Sequence, residues 1–265
     1  MKDIFILKLG GSVLTDKKAS KPILKINVIK QIAEEITRSQ VVQKKIGLIL
    51  LYGGGSFGHP LARRYKLSKQ PLTQKTLLGV GHTITAMREL GTCLSSLFLD
   101  AGLTVIPLQT SSFVEERRGQ LYFKNFKIIK TILKHGGIPL FGGDVVFSDK
   151  NQSLIASADH LAVLLAKHLQ NSTLLFATDT NGVYARFPPQ IGECQITTLD
   201  RKETNKILLR KQSTNKKYDV TGAMPGKLRS LLKLRNMSVV IFNGNLSGNL
   251  LKALTKKEVG TLIKL

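Results

Sequence analysis

The sequence has little of what marks secreted, membrane-spanning or disulfide-stapled proteins. Only two of its 265 residues are cysteines, Cys93 and Cys194, and they lie too far apart for a metal-binding pair. No apolar run approaches the about 20 residues that a membrane helix requires. The opening segment, residues 1–8, contains an acidic residue and too short an apolar run for a signal peptide. These absences predict a soluble, cytoplasmic protein that does not bind a membrane.

The chain also lacks internal repeats of fixed period and any linker rich in proline, glycine and serine. Its composition, 42% hydrophobic and 22% charged, is that of a globular protein with a sizeable core. A length of 265 residues suits one large α/β domain or two closely joined lobes. We therefore expect a single domain over residues 1–265.

Acidic residues are scarce, 17 against 40 lysines and arginines, which gives a net charge of +23. Such a charge is compatible with nucleic-acid binding, which depends on basic surfaces. The lysines, however, are scattered in local pairs such as Lys17-Lys18 and Lys216-Lys217, without interleaved aromatic residues. This distribution favours a lysine-rich surface that attracts small anionic substrates over a nucleic-acid interface.

Short apolar runs alternate with segments of helical periodicity along the whole chain. Four of the runs, Ile4 to Leu9, Ile46 to Tyr52, Ile138 to Phe141 and Thr173 to Ala177, end at glycines or at Thr178-Asp179. This alternation predicts a mostly parallel sheet with helices on both faces. Ligands of such sheets bind at the carboxyl ends of the strands, where these glycines and polar residues would lie.

Two glycine-rich turns follow the first two predicted strands. Lys8-Leu9-Gly10-Gly11-Ser12 combines a lysine with a turn whose amides can approach an anion closely. Gly53-Gly54-Gly55 precedes a helix that we expect to begin at Leu61, with its positive end towards the same place. His59 would lie at that junction. Alone, these turns predict only an anion site, and no Walker-type motif is present.

Phosphoryl transfer requires positioned positive charge more than covalent chemistry. Lys8, Lys17 and Lys227 lie beside glycine turns and could supply it, although most lysines in so basic a chain are solvated surface residues. Among the acidic residues, Asp159 is best explained locally as a favourable charge at a helix amino end. Asp144 and Asp179 each follow a predicted strand, where they could face a ligand or cap a turn.

Five ordered segments resemble the amino acid kinase superfamily along nearly the whole chain. They are Lys8 to Ser12, Gly53 to Gly55, the helix Ser157 to Leu169, the strand and turn Ala177 to Tyr184, and Asp219 to Lys227. The resemblance implies a three-layer αβα sandwich with a mostly parallel central sheet. It also implies a phosphate-acceptor lobe over about residues 1–170 and an ATP-binding lobe over about residues 171–265.

Within the superfamily, Gly53 to Pro60 resembles the isopentenyl phosphate kinases and the related fosfomycin-resistance kinases. The first of these implies ATP-dependent phosphorylation of isopentenyl phosphate, with ATP and Mg²⁺ as cofactors and a homodimer as the assembly. Two residues depart from the pattern: Tyr52 stands where histidine is common, and Gly142 where an aromatic or other residue is commoner. The alternatives are a fosfomycin-type or other small phosphate or phosphonate kinase and a non-catalytic, nucleic-acid-binding protein on the same fold.

The resemblance also implies roles for individual residues. His59 would bind the substrate phosphate, Lys8 and Lys17 would stabilise the transferring phosphoryl group, and Asp159 would orient Lys8 and Lys227. The residues implied to bind the substrate are Gly54, His59, Gly143 and Asp144. Those implied to bind ATP are Lys8, Gly10, Gly11, Ser12, Gly55, Asp179, Gly182, Gly222 and Lys227. The isoprenoid tail would need an apolar pocket, which we expect from Leu77 to Met87 and Phe147.

Overall fold

A computed structural model describes residues 3–16, 21–41, 44, 46–67, 70–209 and 223–265. Its strands are β1 (Ile4–Leu9), β2 (Gly47–Tyr52), β3 (Gln70–Pro71), β4 (Val105–Pro107), β5 (Val114–Arg117), β6 (Gln120–Phe123), β7 (Ile138–Gly142), β8 (Asp144–Phe147), β9 (Gln152–Ala156), β10 (Ser172–Thr178), β11 (Thr198–Asp200), β12 (Ser238–Asn243) and β13 (Thr261–Lys264). Its helices are α1 (Gly11–Leu14), α2 (Ile26–Ser39), α3 (Gly55–Arg64), α4 (Gln74–Asp100), α5 (Thr110–Phe113), α6 (Lys127–Lys134), α7 (Ala158–His168), α8 (Arg201–Leu209), α9 (Ala223–Leu231) and α10 (Asn249–Leu254).

Eight strands form the central sheet in the order β11-β13-β12-β10-β1-β2-β7-β4. The pairing is parallel throughout except between β12 and β13. The four strands predicted to end at glycines or at Thr178-Asp179 are β10, β1, β2 and β7, which are consecutive neighbours. Their carboxyl ends therefore form one continuous edge at the middle of the sheet.

The sheet separates two hydrophobic cores, as the predicted three-layer sandwich requires. Alternate residues of β1 point to opposite faces, so Ile4 and Ile6 belong to the core under α7 and α9. Leu7 and Leu9 belong to the other core, with α2 and α4. The α/β class and the mostly parallel sheet are confirmed. Among the described helices, none is long and apolar enough to cross a membrane.

The sequence predicts a helix over Thr83 to Ala101, but α4 begins earlier than that. It begins at Gln74, because Thr73 and Thr76 form a reciprocal capping box. This first part contains Gly79 and Gly81, and Gly79 packs closely against the Tyr65 ring. Packing against α3 thus overrides the low helix propensity of glycine.

The sequence from Ala185 to Lys217, with Pro188-Pro189 and a polar run, predicts an irregular segment, and its described part contains β11 and α8. The last two helices are predicted over Gly226 to Leu234 and Leu246 to Leu254. In the structure α9 covers Ala223–Leu231 and α10 covers Asn249–Leu254.

A buried carboxylate joins α2 to the loop after β12. Glu35 is 2% exposed, and its two carboxylate oxygens accept the backbone N–H groups of Gly248 and Leu251, each at 2.8 Å. Gln31 donates a further hydrogen bond to Glu35 at 3.0 Å. Because these contacts join segments more than 200 residues apart in sequence, Glu35 fixes the start of α10 against α2.

Replacing Glu35 with alanine should therefore lower the free energy of unfolding by about 2–3 kcal/mol, because two backbone donors lose a charged acceptor. Urea denaturation monitored by circular dichroism measures the change. The matched control is Glu34→Ala on the exposed face of the same helix, expected to stay within about 0.5 kcal/mol of the wild type. Equal effects of the two substitutions would contradict the assigned role of Glu35.

Candidate active site

An open cleft lies at the carboxyl edge of the four central strands. Seven predicted site residues line it together: Lys8, Gly11, Gly54, His59, Gly143, Asp144 and Asp159. They come from segments as distant as β1 and α7, which the strand order β10-β1-β2-β7 brings to one place. The cleft therefore lies where parallel α/β sheets bind their ligands.

Asp159, at the floor of the cleft, forms salt bridges with two lysines. Lys8 Nζ lies 2.9 Å from Asp159 Oδ1, and Lys227 Nζ lies 2.7 Å from Asp159 Oδ2. Lys8 reaches Asp159 because it lies on the face of β1 that packs against α7. Lys227 also stands over the ring of Phe176, 4.6 Å from its centroid, which adds a cation–π contact.

The local explanation of Asp159, a favourable charge at a helix amino end, holds but is incomplete. Ser157 is the N-cap of α7, and its side chain accepts the backbone N–H of His160 at 3.2 Å. Asp159 lies in the first helical turn and also pairs with the two lysines. Sequence periodicity could not reveal this, because Lys227 lies 68 residues further along the chain.

The two buried partners shift each other's protonation. Burial alone would raise the pKa of Asp159, but the positive charges of Lys227 and Lys8 outweigh it and lower that pKa well below the usual range. Burial lowers the pKa of Lys227 to about 8, although the Asp159 carboxylate opposes the shift. Asp159 is therefore ionised near neutral pH, whereas Lys227 loses its proton as the pH rises through about 8.

The two glycine turns pack against each other at the rim of the cleft. A Cβ atom on Gly11 would lie 2.4 Å from the backbone nitrogen of Gly55, so only glycine allows this approach. Gly55 itself has a φ of +47°. Thr15, not predicted as a site residue, joins the two turns: its hydroxyl donates to the Gly11 carbonyl at 2.7 Å and accepts the Ser56 N–H at 3.0 Å.

The helix after the second glycine turn begins six residues earlier than expected, at Gly55 instead of Leu61. The Gly54 carbonyl accepts the N–H groups of Phe57 and Gly58 at 2.9 and 3.0 Å, which starts the helix within the glycines. His59 consequently lies inside α3, one residue before Pro60, and not at a loop–helix junction. Its place in the wall of the cleft is unaffected by this correction.

Another wall of the cleft is formed by α4 and the start of β8. Asp144 is buried there and accepts hydrogen bonds from Gln109 Nε2 at 2.5 Å, Ser111 N–H at 3.3 Å and Val145 N–H at 2.8 Å. Burial raises the pKa of Asp144 to about 6, although these hydrogen bonds oppose the shift. Asp144 therefore titrates close to neutral pH, inside the cleft.

The apolar part of the cleft only partly matches the prediction. Thr83 and Met87 of α4 line it, together with Ala62 and Ile155. Leu77 lines a separate surface groove between α3 and α4, and Phe147, 40% exposed, lines a depression beside β5. The sequence predicted a helix over Thr83 to Ala101 but not which of its turns lies over the glycines.

The remaining predicted nucleotide-binding residues lie along the same edge of the sheet. The N–H of Gly10 donates to the Ala177 carbonyl at 2.9 Å, which ties the first turn to β10, and Ser12 lies in α1. Asp179 is exposed directly after β10. Gly182 is buried, and a Cβ atom there would lie 2.4 Å from Thr261 Oγ1. Lys17 and Gly222 lie outside the described residues.

Comparison with known proteins agrees with this architecture. A model of the amino acid kinase family matches residues 3–243. The isopentenyl phosphate kinase of Methanocaldococcus jannaschii is 33% identical over 264 residues, with 97% of each chain covered. That of Methanothermobacter thermautotrophicus is 31% identical over 273 residues, with 98% of each covered.

A solved X-ray structure of isopentenyl phosphate kinase superposes with a TM-score of 0.82 at 26% identity, covering 98% of this chain and 100% of that one. Fold, cleft and full-length similarity agree: the chain belongs to the amino acid kinase family and is a phosphotransferase, with isopentenyl phosphate kinases among its relatives.

Proposed function

We propose that the protein transfers the γ-phosphoryl group of ATP to isopentenyl phosphate, forming isopentenyl diphosphate and ADP. The observation that carries the proposal is that His59 and the Lys8–Asp159 pair line one cleft. The cleft therefore combines a histidine on its acceptor side with fixed positive charge at its floor. The isopentenyl phosphate kinases similar over nearly their full length support this choice of acceptor.

In this proposal the acceptor lies on the side formed by residues up to about 170, and ATP lies between the first glycine turns and the side formed by residues from about 171. His59 and the backbone at Gly54 and Gly143 bind the acceptor phosphate, beside Asp144. The residues proposed to bind ATP are Lys8, Gly10, Gly11, Ser12, Gly55, Asp179, Gly182, Gly222 and Lys227. Lys17 adds positive charge at the transferring group.

Catalysis then depends on charge that is in place before the reaction. The transferring phosphoryl group spreads negative charge over its oxygens, and fixed cations in a partly buried site stabilise that charge strongly. Asp159 holds Lys8 and Lys227 on either side of one carboxylate, so neither ammonium group has to be reoriented during transfer. The oxygen of the acceptor phosphate attacks the γ-phosphorus, and the bond to the ADP leaving group breaks.

Mg²⁺ enters with ATP in this proposal. Within the described part of the chain no cluster of three or more His, Cys, Asp or Glu residues could hold a metal ion. Asp159, the carboxylate at the floor, is already paired with two lysines. The ion would accordingly be held mainly by the nucleotide's phosphates, whose charge it would neutralise. A homodimeric assembly is likewise proposed from the family resemblance, and a cytoplasmic location from the sequence composition.

The direct test is a panel of acceptors assayed for ADP release with ATP and Mg²⁺. Isopentenyl phosphate and dimethylallyl phosphate should be turned over, with 31P NMR detecting the diphosphate product. Fosfomycin, glutamate and a reaction without acceptor should give only background. Turnover of fosfomycin or glutamate without turnover of isopentenyl phosphate would contradict the proposal.

Replacing His59 with alanine should raise the KM for isopentenyl phosphate about 10- to 100-fold, as expected for loss of a hydrogen bond to a charged group. The KM for ATP should stay within about two-fold, because only the acceptor phosphate meets this side chain. Steady-state kinetics with each substrate varied in turn measure both values. His135→Ala, at an exposed histidine, is the control. Equal losses for both substrates would assign His59 to folding.

The pH dependence of kcat/KM for ATP should show a descending limb near pH 8, where Lys227 loses its proton. Asp159→Asn removes the negative charge that favours the protonated lysine, so the limb should move to lower pH. The rate at neutral pH should fall about 100-fold, because two neighbouring ammonium groups lose their shared counter-charge.

The control for this profile is Asp149→Asn, an exposed carboxylate outside the cleft, which should leave the limb in place. A limb that stays near pH 8 in Asp159→Asn, or moves to higher pH, would show that Lys227 is not the titrating group.

A further inference from the structure

Tyr52, the last residue of β2, lies behind the cleft and not in its wall. It is 6% exposed, and the glycines that follow it, Gly53 and Gly54, line the cleft. Its ring fills the space between β7 and α4. The ring fits at the end of β2 because two neighbouring residues are glycines and place no side chain in the space that it occupies.

The first of these is Gly142, which pairs with Tyr52 in the parallel register of β2 and β7. A Cβ atom on Gly142 would lie 2.2 Å from Cε2 of the Tyr52 ring. The second is Gly91 of α4, where a Cβ atom would lie 2.3 Å from the Tyr52 hydroxyl oxygen. The ring is therefore wedged between a strand and a helix, and any larger residue at either glycine would push it out of place.

The ring of Tyr52 thus occupies the space that a side chain at position 142 would need. The sequence shows both residues but not this relation, because 89 residues lie between them in the chain.

The Tyr52 side chain also contacts a residue of α4 that lines the cleft. The Tyr52 hydroxyl donates to the Met87 carbonyl at 3.4 Å. Burial, with the negative charge of Asp144, raises the pKa of Tyr52, so the hydroxyl remains a donor at all pH values of interest. Met87 in turn lines the cleft, and its sulfur would lie 3.1 Å from a Cβ on Gly54 and 2.7 Å from one on Gly58.

We propose that Tyr52 is a positioning residue that sets the distance between α4 and the glycine loop, and with it the width of the acceptor side of the cleft. The proposal rests on the function proposed above, since it assigns Thr83 and Met87, the two residues of α4 that line the cleft, to the acceptor. Tyr52 itself touches neither substrate. Its effect should consequently appear in the binding of the acceptor and not in that of ATP.

The test adds one methyl group to α4 at either of two glycines. Gly91→Ala places it against the Tyr52 hydroxyl, whereas Gly81→Ala places it where no atom of the described residues lies within 4 Å. We expect Gly91→Ala to raise the KM for isopentenyl phosphate at least five-fold with the KM for ATP within two-fold. Gly81→Ala should change neither value.

The double variant Tyr52→Phe/Gly91→Ala then tests whether contact with the Tyr52 hydroxyl causes the higher KM of Gly91→Ala. Without that oxygen the nearest ring atom is Cζ, 3.1 Å from the new Cβ instead of 2.3 Å. Its KM for isopentenyl phosphate should return to within two-fold of Tyr52→Phe alone. A double variant as impaired as Gly91→Ala would contradict the proposal, because the methyl group would then act through something other than Tyr52.

If Gly91→Ala does not fold, Tyr52→Leu tests the positioning role instead. It removes the aromatic ring between β7 and α4 and should raise the KM for isopentenyl phosphate at least five-fold at unchanged KM for ATP. A wild-type KM for the acceptor, or equal losses for both substrates, would contradict the positioning role. Failure of the wild type to phosphorylate isopentenyl phosphate would instead overturn the proposed function, so the two failures are distinguishable.

Discussion

The pairing of one carboxylate with two ammonium groups underlies the arrangement of the whole site. Lys8 and Lys227 are largely buried, and two like charges at such a place repel each other strongly unless a negative charge lies between them. Asp159 supplies that charge to both, at 2.9 and 2.7 Å. Because β1, α7 and α9 each contribute one of the three residues, the relative position of these elements is fixed by electrostatics as well as by packing.

Close backbone contact is the second constraint. The turns after β1 and β2 touch at Gly11 and Gly55, where a side chain would collide with backbone atoms. Backbone amides are thereby brought side by side at the edge where the strands end, next to the buried cations. Such a cradle suits an anion with several oxygens, because each amide is a donor already in position. A side chain as large as Tyr52 likewise fits only because residues 91 and 142 are glycines.

Local sequence patterns predicted the elements that depend on local physics. Buried parallel strands are continuous apolar runs, so β1, β2, β7 and β10 were recognisable with boundaries shifted by one residue at most. Helix starts were less predictable where glycine was involved. Both α3 and α4 begin earlier than propensity suggests, since contacts with Gly11, Tyr65 and Met87 stabilise glycines that would otherwise favour a turn. His59 was accordingly expected at a junction and lies within a helix.

The sequence by itself determined the α/β class, the glycine turns at strand ends and the candidate residues, because each of these depends on neighbours within a few positions along the chain. Only the tertiary structure showed that Asp159, in the first turn of its helix, also pairs with two lysines, and that Thr15 joins the two glycine turns. It alone showed that the Tyr52 ring occupies the space that a side chain at position 142 would need. These relations depend on the order of the strands in the sheet, which brings distant segments within a few ångströms and which local periodicity does not specify.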